Sequence, residues 1–350
     1  MEQNFFGHKV VAITGASGLL GAHLCIALLQ QGVQVRAIVR NAKSQQKAES
    51  FFRIYSCDDL LHLNITWLYA DITNMLEISD AIEGADFVFH CAGYVSFDTY
   101  ESAKLYTINT CGTQHVVDAC LKHNVQKMCY ISSIAALGKP ENNELLQETH
   151  DFDVHAKTKS AYGYSKYLGE LEVQRGIAEG LPAVIVNPSV VIGPGQWNQS
   201  SGALFSTMYN FSSVYTSAVS GYVSVHDVVD CMIQLMASDV SGEKFIISAQ
   251  NVDMKTVSSV IAETLGVRKP RIHIPKCFLM IVSRVFSSIL HMIGKPSKMS
   301  PQTAQAAYQK TYIDNSKIQD SLSFSFRDVI QEIRKTAEIY KKQYDLPSKK

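Results

Sequence analysis

The chain has 350 residues, 46% of them hydrophobic and 18% charged, enough to bury a large core in two domains or in one domain with a sizeable extension. Its 32 basic and 32 acidic residues cancel, so no global field exists to gather nucleic acid, and nucleic acid is not expected as a partner. The eight cysteines form no CxxC pair or zinc-like Cys/His pattern, and the N-terminal MEQNFFGHKV lacks the build of a signal peptide. Free thiols, no metal and a cytoplasmic location are therefore expected.

In chain order, KVVAIT, LLGAHLCIALLQQG and VQVRAIVR read as strand, helix and strand. The alternation recurs through ITWLYAD, a helix over about 75–83, FVFHCAG, a helix over about 103–123, MCYISS, a helix over about 162–179 and AVIVNPS. Short β-branched runs alternating with amphipathic stretches predict an α/β fold, a Rossmann-type doubly wound parallel sheet with a smaller, mainly helical C-terminal substrate domain. The boundaries expected are 1–187 with 221–250 for the dinucleotide-binding domain, and 188–220 with 251–350 for the substrate domain. The apolar stretch beginning at Cys277 carries Arg284 and His291 and is too short for a span, so an amphipathic helix is expected there and a membrane is not. The final DLPSKK reads as a frayed tail.

TGASGLLG lies where the first strand gives way to a helix. Gly15 permits a tight turn, Gly18 leaves room for a pyrophosphate, and Gly21 allows close helix–sheet packing, with phosphates facing the helix N-terminus. No carboxylate ends the second strand. Arg40 stands there with Lys43 behind it, which favours NADP(H) over NAD(H) because a guanidinium can pair with a 2′-phosphate. Asp71 is placed to accept from an adenine amino group or to cap a surface turn. Cys91, Ala92 and Gly93 are small groups suited to a nicotinamide ribose.

YISSIAALG supplies Ser133, and AYGYSKYLGE places Tyr162 and Lys166 four residues apart on one helix face. A phenol with a pKa near ~10 needs a neighbouring cation to act as an acid/base at neutral pH, and Lys166 can provide it. Ser133 could polarise a substrate carbonyl, and Asn109 could brace the lysine through water or lie at a helix surface or interface. A substrate pocket is expected from Tyr94 to Phe97, including Ser96, with Ala135, the 139–159 loop and the 195–220 segment. Within that last segment, Trp197, Phe205 and Tyr209 could be core instead. His90 and His226 are expected to be structural imidazoles.

Together, TGASGLLG, Arg40, Asp71, VFHCAG, Asn109, SSIAA, Tyr162 with Lys166, and NPSVVIGPG resemble the extended short-chain dehydrogenase/reductase superfamily, in its NAD-dependent epimerase/dehydratase branch. The chain is most similar to dihydroflavonol reductase-like and 3β-hydroxysteroid dehydrogenase-like members. The resemblance implies phosphate contacts from Gly15, Ser17, Gly18, Leu19, Leu20 and Gly21, adenine contacts from Asp71 and Ile72, and nicotinamide contacts near Pro188 and Val190. It also implies a homodimer through the helices bearing Asn109 and Tyr162. The C-terminal arginines that would clamp a sugar-nucleotide pyrophosphate are not evident, and Ile134, Ala135 and Ala136 follow Ser133 without an extra acid. Redox chemistry on a small carbonyl or alcohol is favoured over epimerisation or dehydration, and a non-catalytic dinucleotide sensor is the remaining alternative.

Overall fold

The computed structural model describes residues 5–346 except 63, 141–143, 156–159, 198, 294–296 and 298–299. Residues 347–350 of the expected tail lie outside the described residues, as do parts of the 139–159 loop. The first half alternates as β1 (Val10–Thr14), α1 (Leu19–Gln30), β2 (Gln34–Val39), α2 (Ala42–Ile54), β3 (Ile65–Tyr69), α3 (Met75–Ile82) and β4 (Phe87–His90). It continues with α4 (Ser102–Tyr106), a π turn at Thr107–Cys111, α5 (Gly112–Lys122), β5 (Lys127–Ile131), α6 (Ala161–Ala178) and β6 (Ala183–Pro188). The second half holds β7 (Val190–Ile192), α7 (Ala203–Asn210), β8 (Val214–Tyr215), β9 (Val219–Ser224), α8 (Val225–Ala237) and β10 (Glu243–Ile247). Then come β11 (Gln250–Asp253), α9 (Met254–Leu265), β12 (Ile272–His273), α10 (Lys276–Met292), α11 (Pro301–Ala306), α12 (Ser316–Leu322) and α13 (Val329–Gln343).

Seven strands form one parallel sheet in the order β10-β6-β5-β4-β1-β2-β3. Alternate residues of each strand feed opposite faces, as the two-residue period of a strand requires. Val11, Ile13, Phe87, Phe89, Cys129 and Ile131 join the core beneath α1, α2 and α8, while Ala12, Val88, Met128 and Tyr130 join the core beneath α3, α5 and α6. Each Val, Ile, Phe or Met side chain among these contributes about 1.5–3 kcal/mol when fully buried rather than exposed. Burial on both faces is why these strands read as continuous apolar runs.

A three-stranded sheet, β11-β9-β7, stands apart from the large one, with β7 parallel and β11 antiparallel to β9. It packs with α9 and α13 around Trp197, Phe205, Tyr222, Ile261, Ile333 and Tyr340. Trp197 and Phe205 are therefore core residues, 4% and 0% exposed. The chain returns to the large sheet through α8 and β10, and again through α12, whose Ile318 is buried in the α1/α8 core.

Candidate active site

Most residues expected to touch a dinucleotide lie at or just beyond the carboxyl end of a strand in the large sheet, while Lys43 lies on α2, Tyr162 and Lys166 lie on α6, and Val190 opens β7 of the small sheet. Gly15 follows β1, Arg40 follows β2, Asp71 and Ile72 follow β3, Cys91 to Gly93 follow β4, Ser133 follows β5, and Pro188 and Val190 end β6 and open β7. The strand order reverses direction between β1 and β4, so the crevice between those two ends is the topological switch point at which open α/β sheets take ligands.

The glycine turn is built by close approach. Gly15 has φ +68°, and a Cβ there would sit 2.5 Å from the Ala92 nitrogen. A Cβ on Gly21 would sit 2.3 Å from the Gly15 oxygen, so only glycine lets α1 rise directly off the end of β1. Gly18 is the N-cap of α1 and supplies no side-chain cap. The half-buried Ser17, Leu19 and Leu20 complete the turn. Helix-start amides that Gly18 leaves uncapped suit a phosphate, and at Gly18 no side chain stands in front of them. Sequence reasoning missed a residue that reaches one of these amides from the small-sheet layer: in the amide orientation its neighbours require, the Gln196 oxygen accepts from the Leu19 nitrogen at 3.0 Å and from Lys47 Nζ at 3.1 Å.

Beyond the carboxyl end of β2, Arg40 and Lys43 are exposed on the surface. Asp71 accepts from the Thr73 nitrogen (2.9 Å) and hydroxyl (2.8 Å), which makes it a turn-capping residue beside the crevice. Ile72 is buried, and its side chain fills the space above Gly112.

A buried polar chain joins the glycine-turn strand to the π turn. The Ala92 nitrogen donates to Thr14 Oγ1 (3.3 Å), which lies 2.7 Å from His90 Nδ1; His90 Nε2 lies 3.1 Å from Thr113 Oγ1, which donates to the Asn109 carbonyl (2.7 Å). Because Thr113 spends its proton on that carbonyl, the chain runs in one direction and His90 carries its proton on Nε2. Burial, with the Lys166 charge nearby, lowers the His90 pKa to about 3, so it stays neutral. His226 lies 3.4 Å from the Tyr55 hydroxyl, which also meets His23 at 2.7 Å. Among the described residues no group of His, Cys, Asp and Glu could hold a metal.

The π turn presents Asn109, 1% exposed. Its Oδ1 accepts from the Tyr94 nitrogen (2.7 Å), and its Nδ2 donates to the Tyr94 carbonyl (2.9 Å) and to Ser165 Oγ (2.9 Å). The amide thus pins the strand that leaves β4 onto α6. Tyr94 turns its hydroxyl to Glu101 (2.6 Å), with the Lys104 ammonium over its ring, and the Ser96 hydroxyl accepts from the Asp98 nitrogen (3.2 Å). Phe97 meets the Tyr162 ring edge-on, with centroids 5.7 Å apart.

Ser133 and Tyr162 come together where β5 ends and α6 begins, and Lys166 stands one turn further along α6. The Ser133 hydroxyl lies near enough to the Tyr162 phenol to favour the phenolate, while burial pushes the phenol pKa up more strongly. Ser133 Oγ also accepts from the Ala135 nitrogen (3.2 Å). Ala135 in turn lies against Gly163, where a Cβ would come within 2.4 Å of its carbonyl, so glycine lets α6 approach the serine turn. Lys166, 4% exposed, donates to the Ile131 carbonyl (2.6 Å) and stands 4.3 Å from the Tyr130 ring centre. Burial lowers its pKa from 10.5 to about 7, opposed by the neighbouring Glu170 carboxylate.

Glu170, 2% exposed, is the second residue that sequence reasoning missed. It accepts from the Ser132 hydroxyl and from Asn187 Nδ2 (2.6 Å), and Asn187 Nδ2 also donates to the Ser133 carbonyl (3.0 Å). The i, i+4 step from Lys166 was its available signal.

The sequence pattern of the NAD-dependent epimerase/dehydratase family matches residues 11–248. A putative dihydroflavonol 4-reductase of Synechocystis is 26% identical over 313 residues, covering 87% of each chain. The sterol demethylase protein B of Methylococcus capsulatus is 25% identical over 267 residues, covering 75% of this chain and 76% of that protein. A UDP-glucuronic acid 4-epimerase of Bacillus cereus, solved with UDP-glucuronic acid and NAD, shares the fold at a TM-score of 0.74 and 18% identity, over 96% of this chain and all of that one. With well over half of its length matched, the chain belongs to the NAD-dependent epimerase/dehydratase family and is an enzyme of the nicotinamide dinucleotide class.

Proposed function

We propose that the protein is an NADP(H)-dependent oxidoreductase that reduces a ketone or aldehyde of a small, mostly apolar organic molecule, or oxidises the corresponding alcohol. The observation that carries this reading is the Ser133 hydroxyl beside the Tyr162 phenol at the start of α6, with the buried Lys166 one turn further along the same helix. The reductase named among the relatives supports it at the level of reaction class.

In the crevice, Gly15 to Gly21 would hold the pyrophosphate, Cys91 to Gly93 with Pro188 and Val190 would border the nicotinamide end, and Arg40 with Lys43 would meet a 2′-phosphate. When bound, the reduced cofactor supplies hydride. Tyr162 gives its phenolic proton to the carbonyl oxygen as negative charge gathers there, and the Ser133 hydroxyl donates to the same oxygen. Lys166 offsets the charge left on the Tyr162 oxygen. Asn109 holds the segment after β4 onto α6, and Glu170 holds the strand end that carries Ser133. Tyr94, Ser96 and Ala135 border the place where substrate would lie, and Phe97 gives it an apolar wall.

Replacing Tyr162 with Phe removes the proton donor and leaves the glycine turn intact. The variant is expected to bind NADPH as the parent does and to lose carbonyl-dependent NADPH consumption across a panel of aldehydes and ketones. Unchanged turnover ends this reading. Thermal stabilisation by UDP-sugars together with copurified NAD would favour the epimerase chemistry of the structural neighbours instead. A homodimer through the outer sides of α5 and α6 completes the proposal: these helices pack side by side, and Leu171 of α6 remains exposed. Eight cysteines held as free thiols suit a cytoplasmic setting.

A further inference from the structure

Helix α10 is packed on the wrong side for its composition. Of its 17 residues only Ser283 and Ser287 are fully buried, and α10 packs against α11. Phe278, Ile281, Val285, Ile289 and Met292 recur at steps of three and four residues and so share one face, and each is at least 55% exposed. Phe286 and Ile293 widen that face. A contiguous stripe of large apolar side chains on this scale marks a surface that something covers.

The charge around it identifies what. From Arg268 to Ser300 the sequence contains Arg268, Lys269, Arg271, Lys276, Arg284, Lys295 and Lys298, and no aspartate or glutamate. This one-sided run sits in a chain whose total charge is balanced. Lys269 pairs with Glu263 (3.3 Å). A second copy docked on the same face would bring two basic segments together, whereas an anionic lipid surface answers the charge and the apolar stripe at once. No helix among the described residues is long and apolar enough to cross a membrane. The helix would therefore lie in the plane of the bilayer surface.

We propose that α10 docks this protein on an anionic lipid bilayer, its apolar face in the headgroup–acyl boundary and its basic residues among the headgroups. The helix is tied to the candidate active site: His291 Nε2 meets Asp98 at 2.9 Å, the Ser297 nitrogen donates to the same carboxylate (2.5 Å), and Ser300 Oγ donates to the Phe97 carbonyl (2.6 Å). Phe97 is the residue that packs on Tyr162. Docking thus sets the Tyr162 side of the crevice near the lipid surface, where an apolar substrate would partition. That last step rests on the reductase reading; the docking does not.

The test is cosedimentation of the full chain with phosphatidylcholine vesicles, with and without phosphatidylserine. Binding is expected only with the anionic lipid and is weakened by high salt. The double variant Val285→Ser/Ile289→Ser, altered only at exposed positions, is expected to lose vesicle affinity by at least about tenfold while keeping its circular dichroism and its thermal stabilisation by NADPH. Vesicle binding is read without turnover, so its outcome is separate from that of the carbonyl panel. The proposal is overturned if the parent stays in the supernatant with anionic vesicles at low salt, or if the double variant pellets as the parent does. It is equally overturned if light scattering shows a dimer that the two substitutions dissociate while vesicles are not bound.

Discussion

Glu170 and Lys166 stand one turn apart on α6 and grip the same stretch of β5 and its exit: Lys166 donates to the Ile131 carbonyl, while Glu170 accepts from Ser132 and, through Asn187, steadies the Ser133 carbonyl. The carboxylate therefore does two things. It fixes the strand end that carries the serine, and its charge lifts the Lys166 pKa against the pull of desolvation.

Glu170→Gln keeps a hydrogen-bonding group of the same size and removes the charge. Lys166 then loses its proton more easily, so the alkaline fall in kcat/KM for carbonyl reduction, expected near pH 7 in the parent, moves to lower pH. Glu170→Ala also strands Ser132 and Asn187 in a buried site, at a cost of about 1–3 kcal/mol in unfolding free energy. Identical pH profiles for the parent and Glu170→Gln would mean that the carboxylate is only a structural clasp.

The strands and the Ser133, Tyr162 and Lys166 spacing could be read from the sequence because both are local. A buried parallel strand writes itself as a β-branched run, and two residues four apart share a helix face wherever the helix packs. Helix α2 was not anticipated: AKSQQKAESFFRI buries only Ala48, Phe51 and Phe52, too little periodicity to stand out beside a loop. Glu170 carries only the weak signal of its i, i+4 step from Lys166, and Gln196 carries none, for a different reason. Their roles depend on what tertiary packing brings near, Ser132 and Asn187 for one and the first turn of α1 for the other. The apolar character of α10 was legible, but which of its sides faces the protein is decided by α11.

Gly15 and Gly32 separate backbone strain from close approach. Both have positive φ, +68° and +76°, but a Cβ on Gly32 meets nothing within 4 Å, while one on Gly15 runs into Ala92. Gly32→Ala is expected to cost about 1–2 kcal/mol with dinucleotide-induced stabilisation intact. Gly15→Ala should cost more and abolish that stabilisation, because β1 and β4 must part at the crevice. Thermal melts with and without NADPH measure both effects. Equal losses in the two variants would show that the close approach carries no weight.

Arg40 is exposed at the end of β2, where no carboxylate competes for a ribose. A guanidinium paired with a 2′-phosphate contributes about 1.5–3 kcal/mol. Arg40→Ala is accordingly expected to weaken NADP(H) by roughly ten- to a hundredfold and to leave NAD(H) affinity nearly unchanged. Titration calorimetry with both cofactors gives the comparison, and a parallel loss for the two would remove Arg40 from cofactor discrimination.

Lys166 also imposes a pH dependence on stability in the absence of cofactor. Its pKa is about 7 in the folded protein and 10.5 as a free side chain, because burial penalises the ammonium. Below pH 7 both states hold the proton, and the native state bears the full penalty. Between pH 7 and 10.5 the unfolded chain keeps a proton that the native state has released, so this group's contribution to stability rises with pH. Lys166→Met has no such slope. The groups facing the ammonium are Glu170 on α6, Cys91 and His90 at the end of β4, and Tyr130 on β5. Of these, His90 stays neutral throughout the range. The melting-temperature advantage of Lys166→Met over the parent should therefore be largest near pH 6 and shrink steadily toward pH 9. A difference that does not change with pH would show that Lys166 keeps its proton throughout, and that the carbonyl of Ile131 and the ring of Tyr130 compensate for its burial.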